Sequence, residues 1–286
     1  MPTHDSERPP QGGSLHLGSH ATTLDQLVAE TLTGAKYRDV CPDLVRSIGA
    51  QELSRRRTFK EAVKCTRNKL HQVSGAYQAG RQQYAHWYAD LQQATQQADQ
   101  AAIRDSCRSI MSNHASTRER LPLLDTFYTT LLADFAPIHS VLDIACGLNP
   151  LAIPWMPLAG DARYYAYDIH QQLTDFLQQS MALLRVEGHA CTRDILQDCP
   201  AHEVDVALIL KAIPCLEQID KQAGKRLLQA LRASVLLVSF PVHSLGGRGK
   251  GMSAHYTAHF HEMVRESGWQ VRSYEFSTEL VFLIKK

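Results

Sequence analysis

The 286-residue chain predicts an α/β protein, a doubly wound and mostly parallel sheet preceded by an all-helical segment. Three observations predict it. Before Pro137 the apolar residues recur at helical spacing. After it, short β-type apolar runs alternate with helical ones, the order that builds a parallel sheet with crossover helices. The last two β-type runs stand close together, as a closing antiparallel pair does.

The helical half begins after a polar stretch, residues 1–22, rich in Gly, Pro, Ser and His, which reads as a disordered tail. Leu24–Leu32 is a short amphipathic helix with Thr23 as its N-cap. Pro42 suits the first turn of a helix reaching about Leu53. Thr58 caps a helix to about Val73, with Phe59, Val63 and Leu70 as an apolar stripe. Arg81 to Ser112 holds one or two helices around a Gln-rich centre. Ser116 opens S-T-R-E, a capping box with Glu119 at its third position, for a helix to about Phe135. The strands expected next are His139–Ala145, Ala162–Tyr167, His189–Asp194, Val204–Leu210 and Val235–Phe240, then Gln270–Phe276 with Leu280–Lys285. Val204–Leu210 is nearly all apolar, as a strand buried on both faces should be. Helices are expected at Ile169–Val186, Ile219–Arg232 and Ser253–Ser267.

Composition excludes several classes. With 44% hydrophobic and 21% charged residues the chain is neither disordered nor fibrous. No apolar stretch approaches the ~18–20 residues that span a bilayer. The start lacks the charged and apolar regions of a secretory signal. Seven cysteines, none in a C-x-x-C pair, suit reduced thiols in a cytoplasm better than disulfides or structural zinc. The net charge of +1 hides an asymmetry: Gly34–His71 carries ten Lys/Arg against four acids. Such a basic module on a slightly acidic remainder points to a polyanionic partner.

The chemistry-bearing signal is V-L-D-I-A-C-G-L-N-P at 141–150, an apolar strand ending in a turn of small residues. In open α/β sheets, ligands lie beyond the carboxyl ends of strands, and small residues let a ligand approach the backbone. The G-x-G-x-x-G dinucleotide fingerprint is absent, which makes an NAD-dependent oxidoreductase the weakest alternative. The run resembles motif I of class I methyltransferases, D-x-G-x-G, with Ala145 in the first glycine position. Asp168 follows the second strand, 21 residues past Gly147, where an acid can accept hydrogen bonds from both ribose hydroxyls of a nucleoside cofactor. Asp194 ends the third strand, where class I methyltransferases often place an acid near the adenine amino group. Together they describe one pocket for S-adenosylmethionine (SAM).

The resemblance then becomes specific. H-A-S-T-R-E-R-L (114–121), L-D-I-A-C-G-L-N-P (142–150), L-K-A-I-P-C-L-E (210–217), S-F-P-V-H-S-L-G-G-R-G-K-G-M (239–252) and T-E-L-V-F-L-I-K-K (278–286) are similar to the 16S ribosomal RNA guanine-N7 methyltransferases that confer aminoglycoside resistance. K-Y-R-D-V-C-P-D-L-V-R (36–46) and K-L-H-Q-V-S-G-A-Y (69–77) fit as well. The resemblance spans roughly residues 25–286. It implies a class I SAM-dependent methyltransferase domain over 114–286, with a Rossmann-like, doubly wound, seven-stranded sheet. It also implies a basic helical RNA-docking domain over 23–113 that meets the assembled 30S subunit.

On matching positions the resemblance places His114, Ala115, Ser116 and Arg120 near the methionine end of SAM. Arg120 would pair with its carboxylate; the plainer alternative is a pair with Glu119 or Asp125. Asp143, Ala145, Gly147, Asp168, Ile169, Asp194, Ile195 and Leu210 would form the nucleoside pocket, and Tyr77 would close it. Lys211 and Pro214 follow the fourth strand, where many methyltransferases hold the target base; the alternative for Lys211 is a solvated strand end. Arg248 and Lys250, in a loop with four glycines, suit RNA phosphate contact. The docking candidates are Lys36, Arg38, Arg46, Arg55, Arg56, Arg57, Lys60, Lys64, Arg67, Lys69 and His71. Guanine N7 carries a free lone pair, so no general base is assigned. His255 and His259 stand at metal-compatible spacing but lack a third ligand, and no metal is expected. The chain reads as a cytoplasmic monomer. Two further readings stay open: methylation elsewhere, such as adenine N1 or a small molecule, and a catalytically silent RNA-binding protein on the same fold.

Overall fold

The apolar runs of the second half lie side by side as one sheet. The computed structural model describes residues 17–75, 82–242 and 251–286. Seven strands occur there: β1 (Ile138–Ile144), β2 (Leu158–Asp168), β3 (Glu187–Thr192), β4 (Glu203–Leu210), β5 (Arg232–Pro241), β6 (Gln270–Glu275) and β7 (Glu279–Lys285). Their order is β3-β2-β1-β4-β5-β7-β6. The first five strands are parallel, and β7 runs antiparallel between β5 and β6. The order reverses direction after β1, so a crevice opens at the carboxyl ends of β1 and β4, the usual place for a ligand.

Eleven α-helices surround or precede the sheet among the described residues: α1 (Leu17–Leu32), α2 (Pro42–Arg55), α3 (Phe59–Leu70), α4 (Tyr84–Gln96), α5 (Gln100–Met111), α6 (Ala115–Arg120), α7 (Leu124–Leu132), α8 (Gln171–Leu183), α9 (Ile213–Ile219), α10 (Ala223–Ala230) and α11 (Met252–Val264). Both sheet faces are apolar, because alternate residues of each strand point to opposite sides. Val141, Tyr164, Val206, Leu237 and Leu283 face α4, α5, α7 and α8. Leu142, Ile209, Leu236, Phe240 and Phe282 face α9, α10 and α11. Helices α1–α3 have small cores of their own, centred on Val45, Ile48 and Leu70 and on Leu27, Ala62 and Val63.

Several expectations are corrected. Helix α1 starts at Leu17, so residues 17–22 are helical rather than tail and Thr23 lies inside the helix; residues 1–16 lie outside the described residues. Thr58 does cap α3, accepting the Glu61 N–H at 3.2 Å, but Phe59 is exposed and Ala62 takes its place in the stripe with Val63, Thr66 and Leu70. Helices α4 and α5 pack on the sheet face and on α8 through Trp87, Leu91, Cys107 and Ile110, not on α1–α3. The S-T-R-E run forms no capping box: His114 is the N-cap of α6. Pro122 follows two residues after Arg120, where a missing N–H favours a break. A 3-10 turn (Leu121–Leu123) and α7 therefore replace one long helix. The helix expected over Ile219–Arg232 is the shorter α10, and a separate helix, α9, precedes it with Pro214 in its first turn.

A buried polar network locks the carboxyl-end side of the sheet. Arg120, fully buried, donates from Nε and Nη2 to the two carboxylate oxygens of fully buried Glu279 at 3.0 and 2.7 Å. Its Nη1 donates to Asn149 Oδ1 at 2.8 Å. Tyr128 also donates to that oxygen at 2.5 Å, and Ser239 Oγ donates to Glu279 at 2.5 Å. Burial opposes charge on Glu279, but Arg120 and Lys211 outweigh it and hold its carboxyl below the usual range. Removing one partner of a buried pair leaves the other charged and unsolvated, at a cost of about 3–5 kcal/mol. Arg120→Met and Glu279→Leu should each lower the urea-unfolding free energy by about that much. The double variant should lose distinctly less than the sum of the singles. Additive losses would show that the pair does not act as a unit.

Candidate cofactor and target-base site

A cavity of about 910 Å³, its open mouth included, lies at the carboxyl ends of β1, β2 and β4. Strand β1 ends in a turn that two left-handed residues make tight: Ala145 and Gly147, both at φ +51°. Glycine adopts that conformation at no steric cost, whereas alanine is strained by roughly 1–2 kcal/mol. At Gly147 glycine is required for a second reason: a Cβ there would lie 2.9 Å from the His114 ring. That ring therefore packs directly on the turn backbone.

The Gly147 N–H donates to Asp168 Oδ2 at 2.9 Å. Asp168 Oδ1 accepts the Ile169 N–H at 2.7 Å and lies 3.2 Å from His170 Nδ1. Burial raises the Asp168 carboxyl, but His170 and the Gly147 amide outweigh it, so the group stays below the usual carboxylate range. It is a fixed anion at the end of β2. Asp194 follows β3. One oxygen accepts the Leu196 N–H at 3.0 Å, while Oδ2 is buried with no partner among the described residues. An unsatisfied buried acceptor costs about 1–3 kcal/mol, and a donor on a ligand would relieve it. An adenosyl cofactor fits: Asp168 for hydroxyls, Asp194 for an amino group, apolar Ile169, Ile195, Leu210 and Leu216 for a ring.

Of the cofactor candidates, His114, Ser116, Ala145, Asp168, Ile169, Asp194, Ile195 and Leu210 line the cavity. Others do not. Arg120 is turned away, its guanidinium committed to Glu279 and Asn149, so it is neither a carboxylate clamp nor a surface pair. Asp143 faces the core, where Oδ2 accepts from Asn149 Nδ2 at 2.8 Å and from the Tyr164 hydroxyl at 2.7 Å. Burial pushes its carboxyl up to about 7 despite these bonds. Ala115 is buried and does not line the cavity, and Gly147 contributes its backbone donor rather than a lining surface. Tyr77 lies outside the described residues.

On the target side, Lys211 lines the cavity but is no solvated lysine. Its side chain is 4% exposed, with Nζ 2.7 Å from Glu119 and 3.6 Å from Glu279. Its backbone is left-handed, φ +58°, held by an N–H donation to the Ser239 carbonyl at 3.0 Å. Pro214 lies in the first turn of α9 and does not line the cavity. Arg248 and Lys250 lie outside the described residues. His259 pairs with Glu217 at 2.8 Å, and among the described residues no group of three His, Cys, Asp or Glu could hold a metal ion.

Sequence reasoning missed Leu44, Val73, His170 and Arg193, all of which line the cavity. Leu44 belongs to α2 and Val73 to the π-turn His71–Gly75 after α3. Nothing local marks an apolar helix residue as the wall of a cavity over a hundred residues away. His170 was readable, standing two residues past Asp168.

Burial pushes His114 down to about 4, against the pull of the Asp168 carboxylate. Its folded-state value lies below the ordinary ~6.5, so the native state binds fewer protons than the unfolded chain in that window. The stability it contributes is complete above about pH 6.5 and is lost as pH falls through about 4. Urea unfolding at pH 7 and pH 5 should show a larger loss for the wild-type protein than for His114→Gln; equal losses would place the titration elsewhere.

Comparison with known proteins agrees with this geometry. The profile of the ribosomal RNA methyltransferase (FmrO) family matches residues 33–283. A 16S rRNA (guanine(1405)-N(7))-methyltransferase of Frankia casuarinae is 37% identical over 278 residues, 96% of this chain and 98% of that protein. A protein of the same name from Serratia marcescens is 36% identical over 92% of this chain and 98% of its own length. Among solved structures, the 16S rRNA methylase RmtB aligns with a TM-score of 0.73 and 31% identity over 92% of this chain and 98% of that one. The 16S rRNA methyltransferase RmtF, in complex with S-adenosyl-L-homocysteine, aligns with a TM-score of 0.74 and 33% identity, over 93% and 98%. The fold is thus that of a class I SAM-dependent methyltransferase, and the chain belongs to the ribosomal RNA methyltransferase (FmrO) family.

Proposed function

We propose that this protein transfers a methyl group from SAM to N7 of a decoding-site guanine (helix 44) in 16S rRNA, and so confers aminoglycoside resistance. The substrate is the 30S subunit, the enzyme acts as a monomer, and the reaction takes place in the cytoplasm. The observation that carries the reading is that a nucleoside-type cavity, with Asp168 and Asp194 on successive strand ends, is walled partly by the basic module itself through Leu44 and Val73. The relatives' names supply the acceptor atom and the RNA.

SAM supplies an electrophilic methyl group on a sulfonium centre. Guanine N7 is neutral and needs no proton removed, so the chain's residues have to position rather than deprotonate. A base stacked in a helix must be turned out to reach a pocket of this kind. The methylated base is cationic, and a bare ammonium in the cavity would oppose it. Glu119 and Glu279 neutralise Lys211 there. Asp168 and Asp194 hold the nucleoside; Ser116 and His114 line the same cavity from α6 and its N-cap.

The helical segment 23–113 would dock on RNA and 114–286 would carry the chemistry, with α4 and α5 as the part of the first segment that packs on the second. Lys36, Arg38, Arg55, Arg57, Lys60, Lys64 and His71 are exposed and suit phosphate contact. Arg46 and Arg56 are exposed but paired with Asp25 and Glu52. Arg67 and Lys69 are committed to the fold, bonded to the Glu30 and Gln218 carbonyls.

Labelled SAM and 30S subunits should give label at one guanine N7; label at adenine N1, or SAM binding without transfer, would overturn the reading. Asp168→Ala should weaken S-adenosylhomocysteine binding by about tenfold or more, measured by calorimetry, because the nucleoside loses its acceptor and the three backbone donors and the His170 ring that surround Asp168 lose theirs. Charge reversal at Arg55 and Arg57 should leave that affinity unchanged and weaken 30S binding, more so at low salt.

A further inference from the structure

Helix α8, the crossover after β2, begins without a side-chain cap of its own: His170 at the N-cap position makes no such bond. The cap comes from the basic module. Asp39 Oδ1 accepts the Gln172 N–H at 2.8 Å, and the Asp39 carbonyl accepts the Gln171 N–H at 2.9 Å. The next residue, Val40, forms an antiparallel bridge with His170. Cys41 N–H then donates to the Ile169 carbonyl at 2.7 Å. The chain from Asp39 to Cys41 is therefore paired, residue by residue, with the four residues that follow Asp168.

That segment also shapes the nucleoside acceptor. The Ile169 N–H, at 2.7 Å, and the His170 N–H, at 3.3 Å, both donate to Asp168 Oδ1. Ile169 is thus held at both ends of its peptide unit, by Asp168 through its N–H and by Cys41 through its carbonyl. Pro42 starts α2 immediately afterwards, and Leu44, in its first turn, lines the cavity. Displacing Asp39 would shift the wall at Leu44 and loosen the donors that orient Asp168.

We propose that Asp39 is a positioning residue of the cofactor site: it caps α8 across the two parts of the chain and so sets the carboxylate of Asp168. The inference rests on the reading of Asp168 as the nucleoside acceptor. It makes cofactor affinity depend on how the basic module is seated, and linkage makes that dependence reciprocal.

The test is calorimetric titration of the full chain with S-adenosylhomocysteine, with thermal melts alongside. Asp39→Ala should bind about five- to tenfold more weakly than wild type, the size expected from losing one N-cap. Asp39→Asn keeps an acceptor that caps as well as aspartate and should bind within about twofold of wild type. With 30S subunits, Asp39→Ala should raise the KM for SAM and keep kcat at saturating SAM within about twofold. Should Asp39→Ala not fold, Asp39→Glu keeps the charge but moves the carboxylate, and the same loss is expected of it. Wild-type affinity in Asp39→Ala or Asp39→Glu overturns the inference, as does an Asn variant as weak as the Ala variant. Wild-type protein that fails to bind S-adenosylhomocysteine would instead overturn the cofactor reading, and the inference with it.

Discussion

The salt bridge between Arg120 and Glu279 is the constraint on which the working end of the sheet depends. Both groups are wholly buried, so neither can stay charged without the other. Arg120 ends α6, Glu279 begins β7, Ser239 lies near the end of β5, and Asn149 opens the 3-10 segment after the β1 turn. One ion pair therefore draws together elements from four places in the chain. Through Lys211, which bridges Glu279 and Glu119, it also reaches the cavity. The positive charge inside is balanced there before any ligand arrives.

Around that anchor the site is built mostly from backbone. Ala145, Gly147 and Lys211 all take left-handed conformations at strand ends. Strain of this kind persists only where the surroundings over-determine it. Here the His114 ring lies against Gly147, and the Ser239 carbonyl and hydroxyl both accept from the Lys211 amide. Asp168 is oriented by amide donors from the β1 turn and from its own following residues. Asp194 Oδ2, buried in the cavity lining, has no donor among the described residues. A rigid cradle that keeps a buried acceptor open for a ligand donor is what a preformed nucleoside site requires.

The basic module does two jobs with one set of residue types. Arg55, Arg57, Lys60 and Lys64 stand exposed near the α2–α3 junction, free to meet phosphate. Arg67 ties α3 to α1, while Lys69 and Asp39 spend their polar groups on holding α1–α3 to the rest of the chain. Charge counting cannot separate these groups, because a lysine that donates to a distant carbonyl looks the same in sequence as one in water.

By itself the sequence determined the alternation that builds the sheet, the strand ends carrying Asp168 and Asp194, and the small-residue turn at 145–147. Each is a local pattern, read at the strand or helix period or from a short motif. The family resemblance added the cofactor and the acceptor RNA. Only the tertiary structure decided that Arg120 and Asp143 face the core, that Lys211 is neutralised, that α4 and α5 belong to the sheet, and that Leu44 and Asp39 reach the cofactor cavity and its supports. Those outcomes depend on partners far off in the chain: Glu279 lies 159 residues from Arg120, and Gln172 lies 133 from Asp39. No local period encodes such a pairing; it appears only when the packed elements bring the two groups within hydrogen-bonding distance.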